Sequence, residues 1–102
     1  MKLLKPLTYS ALLVALTLPG AALAYTGQNL ARLAKVNMAQ ATAIALKAHP
    51  GRVTDRELER ERGGTGLRYS FDIKSGGHTY EVGVDAKTGA VLENAAEGPH
   101  PD

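Results

Sequence analysis

The chain has 102 residues, 12 Lys+Arg against 10 Asp+Glu for a formal net charge of +2, and no cysteine. Without cysteine there are no disulfides, thiolate metal sites or Cys nucleophiles, and no lipid-modified cysteine of a bacterial lipoprotein. A sequence pI of 9.0 points to an anionic partner only if the basic excess stays with the working chain.

It does not. Lys2 and Lys5 form a positive n-region, Leu7 to Leu18 an apolar stretch, and Pro19-Gly20 a helix stop before the small-x-small pattern Ala22-Leu23-Ala24. This pattern predicts a secretory signal peptide over residues 1–24, cut between Ala24 and Tyr25, and so a periplasmic or secreted bacterial protein. The apolar run between Lys5 and Pro19 is shorter than the roughly 20 residues of a spanning helix, so no stable membrane anchor is expected after cleavage. Two of the basic residues and none of the acidic ones lie in the signal, which leaves ten of each. Nucleic acid therefore drops out as a favoured partner. The remaining residues 25–102 suffice for one small domain, which would bury only about 60% of its unfolded surface.

Residues 25–35 lack a clean period, although Leu30, Leu33 and Ala34 could form an apolar helical stripe; the segment reads as a loosely attached leader. From Val36 the signals sharpen. Asn37 is a good N-cap, Gln40 completes a capping-box pair, and Val36 can staple against Ala41. A helix over 38–48 follows, with Ala41, Ile44, Ala45 and Ala48 on one stripe. Pro50-Gly51 stops it. So short a helix is marginal alone in water and must dock on another element.

Val53 to Arg62 could be capped as a helix by Thr54 and Glu57, but that helix would bury only Leu58. It would also set Asp55 with Glu59 and Arg56 with Arg60 at i, i+4, a mild repulsion. The segment is therefore expected to be a charged, exposed strand, with a bulge between Val53 and Leu58 and a turn over Gly63–Gly66.

Leu67 to Lys74 and Tyr80 to Asp85 both alternate apolar and polar residues, and Gly76-Gly77 between them offers the positive φ angles of a tight hairpin. With that turn, facing residues have numbers summing to 153, which sets Ile73 on Tyr80, Phe71 on Val82 and Tyr69 on Val84. A one-residue change in the register sum would put the two apolar rows on opposite faces. The outward face then pairs Arg68 with Asp85 favourably and Asp72 with Glu81 unfavourably, exposed pairs worth about 1 kcal/mol or less. Asp85 to Gly89 reads as a turn with Asp85 bonding amides ahead of it. Val91-Leu92 gives a short last strand, and residues 93–102 a patternless, disordered tail.

The order of these pieces resembles the PepSY domain. The matching residues are Ala41 to Lys47, Pro50-Gly51-Arg52-Val53, and Tyr80 to Gly89, within a domain over 36–92. The sequence departs from the family at Arg56, where an apolar side chain is usual, and at Gly83, where a larger outward residue is. The resemblance implies an α+β fold, one N-terminal helix packed on a three- to four-stranded antiparallel sheet. It also implies a setting among peptidase propeptides and stand-alone envelope proteins, with inhibition or regulation of peptidases as the family's suggested role.

No catalytic constellation accompanies it, so no enzyme, cofactor or metal is expected. His49 reads as a residue opposing the helix dipole, His78 shares the parity of Tyr80 at the core's edge, and His100 lies in the tail. Asp72 and Glu81 lack the pocket that general acid-base work needs and read as solvated surface. Gly63-Gly64-Thr65-Gly66 is not followed by the Lys-Ser/Thr of a phosphate loop. The expected function is an exported, non-enzymatic module that binds a peptidase or other envelope protein. A sensory or structural accessory of an envelope system is the alternative, and metal handling by His78, His100 and nearby carboxylates a third reading.

Overall fold

The computed structural model describes residues 24–98. The signal peptide expected over residues 1–24, apart from Ala24, and residues 99–102 of the expected tail, His100 among them, lie outside the described residues. One helix, α1 (Met38–Ala48), packs on a four-stranded antiparallel sheet of β1 (Arg52–Arg60), β2 (Leu67–Ser75), β3 (His78–Asp85) and β4 (Val91–Ala96), in the order β1-β2-β3-β4. No described helix is long and apolar enough to cross a membrane.

The helix starts where its cap chemistry places it. Asn37 Oδ1 accepts from the Gln40 N–H at 2.8 Å while Gln40 Oε1 accepts from the Asn37 N–H at 2.9 Å, closing the capping box. Ala41 and Ala45 are fully buried, and their small side chains let the helix sit close to the sheet. At the other end His49 is the C-cap.

The β2–β3 hairpin has the register read from the alternation, with Ile73 opposite Tyr80, Phe71 opposite Val82 and Tyr69 opposite Val84. Gly76 and Gly77 occupy positive φ, 60° and 82°, as the tight turn requires. The buried row of Tyr69, Phe71, Ile73, Val82 and Val84 forms the core with Leu58 and Leu67. The Tyr69 hydroxyl, inside that core, donates to Val36 O at 2.7 Å, so its polar atom is satisfied. β1 is a strand with its irregularity between Val53 and Asp55, which turns Leu58 inward opposite Tyr69. Arg56 lies half-buried opposite Phe71, at the position where the family usually has an apolar residue.

Two segments are more structured than their sequence suggests. Residues 25–35 are not a loose leader. Gln28–Leu33 form a 3₁₀ helix, Tyr25, Leu30, Leu33 and Ala34 pack on the core, and the Leu58 N–H donates to Thr26 O at 2.9 Å. Leu58, the one fully buried residue of β1, needs this cover to reach 1% exposure. Residues 93–96 are not a patternless tail either, because they complete β4 against Tyr80–Gly83, and the Glu97 N–H still donates to Thr79 O. An edge strand is held by the backbone ladder of its neighbour and does not require apolar alternation of its own.

Candidate functional site

The helix and the 3₁₀ segment cover one face of the sheet; the other is the side on which the sequence-predicted pairs lie. Arg68 is the Cα partner of Asp85 and Asp72 of Glu81, as the hairpin register requires. Their environments differ from the expected solvated surface. Arg68 and Asp85 are buried, at 8% and 1% exposure, and they do not bond each other.

Asp85 is instead the hub of two turns. Its carboxylate accepts from the Thr65 N–H (2.6 Å) and hydroxyl (2.9 Å), and from the N–H groups of Lys87 (2.8 Å) and Thr88 (3.0 Å). Burial alone would raise its pKa, but these bonds outweigh that and hold it down at about 2. The Gly63–Gly66 loop is thus fastened to the 85–89 turn, and both flank the outer face. That role is structural: an ionised, fully bonded carboxylate has no capacity left for proton transfer.

Arg68 spreads across the sheet surface. Its Nη1 lies 3.3 Å from Glu93 and 3.7 Å from Glu61, and its Nη2 donates to Arg62 O at 3.2 Å, while Nε has no partner. A Cβ at Gly83 would come within 3.1 Å of the Arg68 side chain. This explains the departure from the family pattern at Gly83: the missing side chain is the bed on which Arg68 lies.

Around this centre the outer face is acidic. Asp72 on β2 faces Glu81 on β3, which faces Ala95 on β4, and Glu93 and Glu97 lie two residues to either side of Ala95 on the same face. Asp72 is raised from its ordinary value by burial and then by Glu97; Glu81 is raised by burial and then by Glu93, Asp72 and Glu97. Towards β1, Glu57 is raised by burial and by Glu59 and Asp55. Glu93 and Glu97 are residues the sequence reading missed, since they fall in the segment read as a tail. Their spacing of two on either side of Ala95 was the available signal.

The two described histidines, His49 and His78, do not converge. His49 stacks on Tyr80 with ring centroids 3.8 Å apart, and its Nδ1 lies 3.1 Å from Asn94 Oδ1, which ties the helix end to β4. His78 is exposed at the hairpin turn, not at the core's edge. Among the described residues no group of three His, Cys, Asp or Glu is placed to hold a metal ion. A cleft of about 290 Å³ lies between residues 24–26 and 53–56, on the β1 side.

The two sheet edges are unlike. β1 alternates acidic and basic residues and is met by Thr26, which forms a parallel bridge with Glu57. β4 has no described neighbour beyond it, and Asn94, Ala95 and Ala96 on it are exposed. A charged edge deters pairing, whereas the uncharged run Asn94–Ala96 presents its edge without that guard.

The sequence of these elements matches the family described as "Peptidase propeptide and YPEB domain" over residues 35–94. The chain belongs to the PepSY family. The PepSY match takes in α1, β1 to β3 and β4 as far as Asn94, and leaves out the 3₁₀ helix that covers Leu58 as well as Ala95 and Ala96 at the end of β4. PepSY domains are typically non-catalytic. No curated protein and no solved structure matches the chain.

Proposed function

We propose that this PepSY chain is an exported, non-enzymatic binding module that engages a peptidase or another envelope protein by strand addition. The observation that carries this reading is the asymmetry of the edges: β1 is guarded by charge and by Thr26, while β4 has no neighbour beyond it among the described residues. In strand addition the main chain of an extended partner segment pairs with such an edge and supplies the affinity. The sequence-predicted signal peptide supports the compartment, and PepSY membership supports the peptidase as the first partner to test.

The chain from Ala24 onward contains every described element and is the form to use. Incubated with a panel of purified envelope peptidases, it is expected to bind or inhibit at least one, read by surface plasmon resonance and by substrate turnover. Neither binding nor inhibition across the panel overturns the peptidase reading.

A further inference from the structure

We infer that the segment added to β4 is basic, with a Lys or Arg side chain opposite Ala95 that crosses this small residue to reach Glu81. The inference rests on the strand-addition reading and names the partner's chemistry. Its first support is the ladder. The Glu97 N–H donates to Thr79 O, so Glu97, Ala95 and Glu93 turn their backbone groups towards β3. Bonding directions alternate along an antiparallel ladder, so the N–H and C=O of Asn94 and Ala96 point outward from the sheet. These are the groups an incoming strand would pair.

In an antiparallel addition, the residue facing Ala95 then sits at a non-hydrogen-bonded position, where side chains lie closest. Its side chain projects onto the outer face over Ala95. Beyond that methyl group lies Glu81, with Asp72 behind it and Glu93 and Glu97 to the sides. The Cα of the incoming residue stands about 10 Å from that of Glu81, two strand spacings. A Lys or Arg bridges that gap with the help of Glu81's own length, and a short apolar side chain does not. A larger residue at 95 would block the path.

Charge complementarity selects the occupant. Of the four carboxylates, Glu93 is shared with Arg68 at 3.3 Å. Among the described residues Asp72, Glu81 and Glu97 have no basic group within salt-bridge distance. Glu81 and Glu97 sit at the β3–β4 half of the sheet with Asp72 opposite Glu81 on β2, and burial with mutual repulsion already raises Asp72 and Glu81. An incoming cation relieves that repulsion, whereas an acidic or neutral segment gains nothing there and an acidic one is repelled.

The probe is a short fluorescein-labelled peptide of alternating Thr and Lys, compared with one of alternating Thr and Glu and with one of the same Thr and Lys in two blocks. Anisotropy titrations of the chain from Ala24 onward are expected to show the alternating Lys peptide binding about tenfold or more tighter than either control, with amide shifts at Asn94 and Ala96. Glu81→Gln with Glu97→Gln, substitutions on the open face, should remove most of that preference. Ala95→Lys should abolish it by filling the path with like charge. Ala96→Pro removes an outward donor without touching the ladder to β3, and should weaken every peptide.

If the Lys peptide binds no better than the Glu peptide, but both are lost with Ala96→Pro, strand addition stands and the basic partner is overturned. If the Lys preference survives Ala96→Pro, binding is not strand addition and the inference fails with it. Failure of the Lys peptide to bind at all also overturns the inference, and the peptidase panel then judges the broader reading on its own.

Discussion

Asp85 concentrates more bonds in one side chain than any other described residue, and it ties together turns twenty residues apart in the chain. Its folded pKa of about 2 lies below the ordinary 3.8, so the folded state holds the proton less tightly than the unfolded chain. The resulting stability is present above the unfolded pKa and lost as pH falls towards 2, and its size from the shift is about 2 kcal/mol. Asp85→Asn removes the charge and presents an amide donor to the donors of Thr65 or Lys87. It is expected to lower the free energy of unfolding by about 2 kcal/mol at neutral pH in urea titrations, with the gap to the parent narrowing as pH falls below the usual carboxylate range. A constant gap across that range would show that the ionised form is not what the turns need. Half of this was legible in the sequence. An Asp ahead of Ala-Lys-Thr-Gly announces the 85–89 turn by local chemistry alone, whereas Thr65 is brought to it only by the β2–β3 register. Arg68 shows the same limit: the register pairs it with Asp85, but the empty space over Gly83 lets it run to Glu93 instead.

Among the elements, the hairpin and α1 were legible because each is specified by its own residues: strict alternation and Gly-Gly for one, a capping box and Pro-Gly for the other. The 3₁₀ segment and the second half of β4 were not, because each draws its order from a neighbour. Leu30, Leu33 and Ala34 make too short a stripe to specify a helix alone, and with Tyr25 they find a place only because the irregularity at Thr54 turns Leu58 inward. Deleting residues 24–34 should therefore remove the cover from Leu58 and the bond from its N–H to Thr26 O. From the half-buried apolar side chains involved, the expected loss is about 2 kcal/mol or more, seen as a lower denaturant midpoint. Amide exchange at Leu58 should accelerate more than at Phe71, which lies under the helix side of the core. Equal midpoints for the two chains would show the 3₁₀ segment to be an onlooker, and a family domain of residues 35–94 to be self-sufficient.

For the molecule as a whole, a balanced charge count conceals a segregated surface. Residues 25–102 have as many acidic as basic side chains, yet the register collects Asp55, Glu57, Glu59, Asp72, Glu81 and Glu93 on the uncovered face of the sheet, with Arg68 among them and Lys74 and Arg52 at one end. Net charge averages over faces, and only the pairing of strands separates them. The consequence is a stability curve with two limbs. Asp72, Glu81 and Glu57 are raised above their ordinary values, so at these sites the folded state binds protons more tightly than the unfolded one, and stability falls as pH rises through the raised values. Asp85 acts in the opposite sense at lower pH. The melting temperature is therefore expected to rise as pH is lowered from about 7 into the acidic range where the raised carboxylates protonate, then to drop below about 3.8 as Asp85 does. Added salt should flatten the upper limb, which arises in part from repulsion between half-exposed groups, and leave the lower one, which depends on hydrogen bonds to a buried carboxylate. Glu81→Gln should flatten the upper limb as salt does. Scanning calorimetry across this pH range distinguishes the outcomes, and a melting temperature that only falls on acidification would mean that the acidic face carries no strain for a cationic partner to relieve.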